Sequence, residues 1–231
     1  MRGAFKPITT DQDDGEFAAY MVETESDGRT GIMLIQEVFG VNEYIRSVAD
    51  GFADQGHRVA APDLFWRLEP QVELDSTVAD QRDKAMELAG QHDRDQGVQD
   101  CRTALAYLQE SCDKVGVVGF CLGGRMAYHM SAQARPNASV GYYGVGIETK
   151  LNLAGEGMAP LLLHFGETDE LCDANARAAI YRVLDPLPQV ELYTYEGVGH
   201  AFARPNSVNY SAEAAALANQ RTTDFLNRHL N

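Results

Sequence analysis

A cysteine framed by glycines is the feature of the sequence with the clearest chemical potential. Cys121 follows the apolar run 117–120, and Gly119 and Gly123 stand two residues to either side of it. A nucleophile at a sharp strand-to-helix turn sits in strained backbone that tolerates only small neighbours, and these glycines supply them. A helix beginning at about Leu122 would point free backbone N–H groups at the sulfur. The spacing predicts a thiol nucleophile beside a site for an oxyanion.

A carboxylate and a histidine follow in the chain at places where such a nucleophile could use them. The apolar run 160–166 ends shortly before Asp169, and the alternating run 190–195 ends shortly before His200. Both runs are typical of strands. In a nucleophile–His–Asp triad the acid orients the imidazole, which manages the proton of the nucleophile. The order nucleophile, acid, histidine is that of the α/β-hydrolases and differs from the other two hydrolase triads.

Each of these residues also has a structural interpretation. A cysteine is usually a small buried hydrophobic residue, but the flanking glycines favour a nucleophile at position 121. His200 could be a surface loop histidine. Glu167 and Asp173 compete with Asp169, because acids are common in loops, and the position at the exit of a strand favours Asp169.

Length and composition indicate one enzyme domain over residues 1–231, with no linker or change of composition to divide it. A formal charge of −15 argues against nucleic acid or an anionic membrane as a partner. An anionic substrate would therefore need locally placed arginines. Four cysteines without zinc-like pairing, and no apolar run of the roughly 18 residues that span a membrane, predict a soluble, unprocessed cytoplasmic protein.

Strands and helices alternate along the chain, which predicts an α/β fold with a mostly parallel central sheet and helices on both faces. The turn signal Asp27-Gly28 predicts a hairpin between the first two strands and thus an antiparallel N-terminal start. The predicted strands cover 16–23, 31–38, 57–63, 114–120, 138–143, 160–166 and 190–195. The predicted helices cover 43–55 (capped by Asn42), 76–89, 96–111, a stretch from 122, 174–184 and 212–229.

The sequence resembles the dienelactone hydrolases, the carboxymethylenebutenolidase family of cysteine α/β-hydrolases, over almost its whole length. The segments that carry the resemblance are 36–40, 61–64, 81–82, 119–124, 141–146, 166–169 and 199–204. The resemblance implies the α/β-hydrolase fold and a triad of Cys121, Asp169 and His200. It also implies that Glu37 contacts the resting thiol and that Arg82 and Arg204 hold a substrate carboxylate.

Glu37 follows the apolar run 32–35, where an acid needs either solvent or a partner. An exposed strand-end acid is the simple alternative. By resemblance, its negative charge disfavours the thiolate of the resting enzyme until a bound carboxylate competes for Arg204 and frees Glu37 to accept the thiol proton. This interpretation predicts that neutral esters are poor substrates.

Further residues would shape the substrate site. Arg204 follows His200 by four residues, whereas Arg82 lies among charged residues and could belong to a solvated helix face. Backbone N–H groups of Val38 and Leu122 are the expected oxyanion donors. Aromatic walls are expected at three positions that could equally be core: Phe39, Trp66 and Tyr143.

The reaction implied by the resemblance is hydrolysis of dienelactone to maleylacetate in the degradation of chlorinated aromatics, with no metal or organic cofactor. Met86, one turn after Arg82, replaces a tyrosine of better-known members and predicts a reshaped pocket. A broader carboxylesterase or thioesterase of the same fold is the alternative. A nucleotide-binding or thiol-sensing protein is disfavoured, because the phosphate-loop fingerprint is missing. We expect a monomer or weak homodimer.

Overall fold

The computed structural model describes residues 2–11, 15–24 and 29–231. Two compact units make up the structure, Met1–Gly116 and Val117–Asn231. The single domain over 1–231 stays a prediction, and each unit is described by itself. Within the three described ranges, no helix has the length and apolar character needed to cross a membrane.

The first unit contains four strands in the spatial order β1-β2-β4-β3. Their bounds are β1 Ala4–Thr9, β2 Glu16–Val22, β3 Thr30–Ile35 and β4 Arg58–Pro62. β2 pairs antiparallel with both β1 and β4, whereas β3 and β4 are parallel. β3 is buried along nearly its whole length, as expected of a strand covered on both faces.

Three helices belong to the first unit: α1 Glu43–Asp54, α2 Ala79–Gln91 and α3 Arg94–Gln109. The side chain of Asn42 caps α1 by accepting a hydrogen bond from the Ile45 N–H, as predicted. Gly56 follows α1 with φ 95°, a left-handed conformation that suits glycine at a helix end.

The strand β5 Lys114–Phe120 begins in the first unit and ends in the second, where the strand order is β5-β6-β7-β8. The later strands are β6 Ala138–Tyr142, β7 Leu161–Gly166 and β8 Val190–Tyr195, and β7 is parallel to both β6 and β8. The helices of this unit are α4 Leu122–Gln133, a 3₁₀ helix Ile147–Leu153, α5 Ala174–Leu184 and α6 Ala212–Leu230. β7 is buried throughout.

The predicted α/β class, mostly parallel with antiparallel strands at the N-terminus, is confirmed. The predicted hairpin between the strands at 16–23 and 31–38 is wrong. These strands are β2 and β3, and β4 lies between them and pairs with both. Asp27 and Gly28 themselves lie outside the described residues. β1 was not predicted, since Lys6 and Pro7 interrupt a mostly exposed strand at the edge of the sheet.

Candidate active site

Cys121 occupies a strained turn between β5 and α4. Its backbone has φ 54° and ψ −110°, in a region that side-chain-bearing residues rarely adopt. Its N–H donates to the Tyr142 carbonyl at 3.0 Å, which ties the turn to the end of β6. A Cβ on Gly119 would lie only 2.0 Å from the carbonyl oxygen of Gly123, so only glycine fits there. The glycine-framed turn therefore has the geometry of a nucleophile elbow.

The helix α4 begins at Leu122, directly after the cysteine. The N–H groups of a first helical turn have no partner within their helix, and they lie at its positive dipole end. The first bond of the helix runs from the Arg125 N–H to the Cys121 carbonyl at 3.2 Å. The Leu122 N–H is accordingly in a suitable part of the helix to meet an oxyanion formed next to the sulfur.

Asp169 and His200 are joined directly. Asp169 is buried, and its Oδ2 lies 2.9 Å from Nδ1 of His200, while its Oδ1 accepts a 2.8 Å hydrogen bond from the Leu171 N–H. The two competing acids have other partners. Asp173 accepts from the Ala176 N–H as the cap of α5, and Glu167 accepts from the Gly197 N–H. The structure thus brings Asp169, of the three acids, to His200.

The histidine also contacts the cysteine. Burial by itself would lower the pKa of His200, but the attraction of the Cys121 thiolate, the hydrogen bonds to Asp169 and Cys121, and the charge of Asp169 outweigh it and raise the pKa to about 10. Since Nδ1 faces Asp169, Nε2 is the nitrogen that remains for Cys121. The three side chains form a line from carboxylate to imidazole to sulfur, an arrangement that can hold a thiolate–imidazolium pair.

Tyr143 and the residues after His200 enclose the imidazole. The ring centroid of Tyr143 lies 5.1 Å from that of His200, edge to face, and 5.7 Å from that of Phe202. Tyr143 and Ala201 both have positive φ, 38° and 59°. Together with Cys121 they place three strained backbone positions around this site, as is common at functional sites. Tyr143 is fully buried, and its predicted role as an aromatic wall of the substrate site stays a prediction.

Asn209, in the loop after His200, supports the histidine, and Arg204 lies in the same loop. Asn209 donates from Nδ2 to the His200 carbonyl at 3.0 Å, and its amide packs against Gly199. Arg204 lies one turn beyond His200, half-buried, with its N–H donating to the Ala201 carbonyl at 3.1 Å. Asn209 was not predicted, because nothing in the sequence marks an asparagine nine residues past the histidine.

Glu37 lies in the first unit, in a loop whose backbone is tightly held. It is 1% exposed, so it is a buried acid and not the exposed strand-end acid of the simple alternative. The loop bends back at Gly40, where φ is 79° and a Cβ would lie 1.8 Å from the Val72 carbonyl oxygen. Between them Val38 is half-buried and Phe39 is buried. Their predicted roles as oxyanion donor and aromatic wall stay predictions.

Arg82 and Met86 share one face of α2, and both are exposed. The Arg82 Nη1 donates to the Ser76 carbonyl at 3.1 Å, and Met86 is 63% exposed. Trp66, a third residue of the predicted pocket, packs 6.2 Å from the Phe17 ring and donates its indole N–H to Asp100. The proposed contacts of these three residues with a substrate stay predictions.

The three other cysteines are buried thiols. Burial raises the pKa of Cys101 and Cys112, and it raises that of Cys172 to about 12 with help from the charge of Asp169. Such thiols are structural and not nucleophilic. Within the described part of the chain, no group of three or more His, Cys, Asp or Glu side chains is placed to hold a metal ion.

The sequence is similar to those of known proteins over most of its length. The sequence profile of the "Dienelactone hydrolase family" matches residues 17–230. The chain belongs to the dienelactone hydrolase family. Its members are ester hydrolases, so the predicted enzyme class is confirmed.

Relatives in this family match over most of their length. The chain is 34% identical over 220 residues to carboxymethylenebutenolidase 1 of Cupriavidus pinatubonensis, covering 94% of each protein. It is 40% identical over 198 residues to the carboxymethylenebutenolidase of Pseudomonas putida, covering 84% of each. A dienelactone hydrolase-like promiscuous phosphotriesterase from metagenomic libraries has the same fold, with a TM-score of 0.77, 21% identity and full coverage of both chains.

Proposed function

We propose that the protein hydrolyses dienelactone, 4-carboxymethylenebut-2-en-4-olide, to maleylacetate, and that Cys121, His200 and Asp169 are its catalytic triad. The observation that carries the proposal is the hydrogen-bonded line from Asp169 through His200 to Cys121. The relatives named carboxymethylenebutenolidase support the choice of substrate. The reaction would belong to chlorocatechol degradation in the cytoplasm, carried out by a monomer or weak homodimer.

The proposed reaction has two chemical stages. The Cys121 thiolate attacks the lactone carbonyl carbon, so that a C–S bond forms and the carbonyl oxygen becomes an oxyanion held by the Leu122 N–H. Collapse of this intermediate breaks the ring C–O bond, and the ring oxygen leaves as an enolate. The product of this stage is a thioester on Cys121.

Water completes the turnover. It attacks the thioester carbonyl while the enolate takes its proton, either directly or through His200, which first gives its own proton to the enolate, and the C–S bond breaks to return the thiolate. The enol form of the product tautomerises to the ketone of maleylacetate. Because the pKa of His200 is raised, the imidazolium can persist next to the thiolate between turnovers at neutral pH.

The substrate carboxylate is assigned to arginine side chains by the family resemblance. Arg204 is suited to this role because it follows His200 by one turn, and a guanidinium can bind a carboxylate with two parallel hydrogen bonds. For Arg82, Phe39, the Val38 N–H and the Glu37 switch, the resemblance is the support, together with the burial of the Glu37 side chain.

The test is the loss of dienelactone absorbance with the wild type and with Cys121→Ser, beside a neutral aryl ester. Fast lactone loss that depends on Cys121 and exceeds ester turnover would support the proposal. Slow lactone turnover with better ester cleavage would contradict the substrate assignment and favour a broader carboxylesterase or thioesterase that uses the same three residues.

A further inference from the structure

A chain of polar side chains lies in the second unit, buried at its centre and reaching the surface at its Asn219 and Arg221 ends, and the proposed reaction gives it no role. Its members lie on β6, β7, β8 and α6. They are Tyr142, His164, Tyr195, Asn219, Arg221 and Thr222. His164 stands at the centre and is fully buried, as are nearly all atoms of Tyr142 and Thr222.

His164 uses both ring nitrogens in this chain. Its Nδ1 lies 2.9 Å from the Tyr195 hydroxyl, and its Nε2 lies 3.0 Å from the Thr222 hydroxyl. The Thr222 hydroxyl lies 2.6 Å from that of Tyr142, which donates to Oδ1 of Asn219 at 2.9 Å. Tyr195 and His164 are both strand residues, and each further step links a strand residue to a residue of α6.

Arg221 lies at one end of the chain, with its guanidinium carbon 5.3 Å from the centroid of the Tyr195 ring. The Tyr195 hydroxyl has one hydrogen, which it can donate to Nδ1 of His164. In that arrangement Nδ1 is the bare nitrogen, and the N–H on Nε2 donates to Thr222.

The Asn219 end fixes the direction of the hydrogen bonds. Oδ1 of Asn219 can only accept, so the Tyr142 hydroxyl donates its hydrogen to Oδ1 and must accept from Thr222. Thr222 has one hydroxyl hydrogen, which goes to Tyr142, and its oxygen accepts from Nε2–H of His164. The Asn219 end requires this neutral tautomer, and the Tyr195 end is compatible with it. Burial, with the nearby charge of Arg221, lowers the pKa of His164 to about 3 and keeps it neutral.

The three strand members of the chain also hold the segments that carry the site. The Tyr142 carbonyl accepts the N–H of Cys121 at 3.0 Å. The His164 carbonyl accepts the N–H of Tyr143 at 2.7 Å, and the Tyr195 carbonyl accepts the N–H of Glu167, where the loop to Asp169 begins, at 2.9 Å. Each strand residue thus joins the buried chain by its side chain and a site segment by its backbone.

We propose that this His164-centred chain is a positioning network that sets the relative places of the Cys121 turn, Tyr143 and the Asp169 loop. The inference rests on the proposed function for its kinetic readout. Its members do not touch the substrate. They act by locking α6 to three adjacent strand ends in one hydrogen-bond direction, because a displacement of about 1 Å in a catalytic group can cost roughly a hundredfold in rate.

The decisive comparison is Thr222→Val against Thr222→Ser. Valine has nearly the shape of threonine but leaves the His164 N–H without an acceptor, whereas serine keeps the hydroxyl. We expect kcat to fall about tenfold or more in Thr222→Val with KM within about twofold, and Thr222→Ser to restore most of the rate. A general loss of folding would not give this split or this rescue. Wild-type kcat in a folded Thr222→Val protein would overturn the proposal.

Two further measurements keep the test decisive. If Thr222→Val does not fold, Tyr195→Phe removes the opposite hydroxyl and should show the same split, and wild-type kcat there would overturn the network. If the wild type does not hydrolyse dienelactone, the proposed function fails separately. The network is then tested by alkylation of Cys121 in the same variants and by ¹⁵N NMR of His164. A bare Nδ1 with protonated Nε2 is expected, and the opposite tautomer would contradict the proposal.

Discussion

His164 and His200 lie in the same unit and are both hydrogen-bonded, yet the structure favours different charges on them. Burial disfavours the charged form of both rings. The pKa of His164 falls to about 3, whereas that of His200 rises to about 10. The partners differ: neutral hydroxyls and a nearby arginine face His164, whereas the carboxyl group of Asp169 and the sulfur of Cys121 face His200.

The comparison teaches that the charges of the partners, and not burial alone, decide what a buried histidine can do. A histidine between neutral hydroxyls is a fixed hydrogen-bond connector. A histidine between two negative groups stores a proton that a reaction can use. The protein uses one of each within a few residues of the same strand ends, so substitutions should separate their roles.

The largest effect is expected at the sulfur. Cys121→Ala removes the nucleophile, and kcat on dienelactone should fall about a millionfold or to the detection limit, as in other triads. Cys101→Ala, at a buried structural thiol of α3, is the matched control and should retain wild-type kcat. Continuous absorbance assays compare the two proteins. Substantial lactone turnover by Cys121→Ala would show that Cys121 is not the nucleophile. It would also contradict the interpretation of His200 as the partner of a thiolate.

A somewhat smaller effect is expected at the acid. Asp169→Asn keeps the shape but removes the charge that orients and stabilises the His200 imidazolium, so kcat should fall about ten thousandfold. Asp173→Asn is a close control, because asparagine also caps a helix well and α5 should remain intact. Steady-state kinetics of both variants provide the check. Equal losses in the two would argue that Asp169 has no special role.

Removing the charge of Arg204 should weaken hydrolysis of a substrate that carries a carboxylate, without changing Cys121, His200 or Asp169. Arg204→Ala should lower kcat/KM for dienelactone about ten- to a hundredfold, because charge-assisted hydrogen bonds are lost. Hydrolysis of a neutral aryl ester should stay unchanged. Arg182→Ala, on the exposed face of α5, makes the same change in net charge and serves as the control. A parallel loss on both substrates would assign Arg204 to structure.

The smallest effect is expected at Glu37, whose role comes from the family resemblance. Glu37→Gln removes a buried negative charge, and alkylation of Cys121 in the absence of substrate should change severalfold, roughly what one unscreened charge contributes. An anionic substrate analogue should alter the alkylation rate in the wild type and not in the variant. Identical rates in all four conditions would rule out the switch.

Local patterns were enough to predict the three residues that the structure brings together, because their signals are short, and their role as a catalytic triad stays a prediction. The glycines around Cys121 and the strand exits before Asp169 and His200 could be recognised within a few residues, and the helix capped by Asn42 was confirmed. Pairings distant in sequence could not be recognised. The place of β4 between β2 and β3 depends on which buried strands meet, and a hairpin turn signal does not encode it.

The positioning residues were missed for the same reason. Thr222 lies 58 residues after His164, and a threonine within a helix carries no sign of a buried histidine partner. Asn209 is visible as a support of His200 only through its contact with the carbonyl oxygen. In the sequence, His164 is one of six histidines, and its place within a buried strand gives no sign of its partners.

The most direct test of the account is a pH titration of His164 and His200 by NMR in the wild type and in Cys121→Ser. The raised pKa of His200 means that its charged form is favoured in the folded protein, so this charge should persist through neutral pH and be lost only as the pH rises toward about 10. Cys121→Ser should bring the pKa of His200 down, because the thiolate is lost, while His164 stays neutral in both proteins. Two histidines that titrate alike near their ordinary value, unaffected by the substitution, would contradict the thiolate–imidazolium pair.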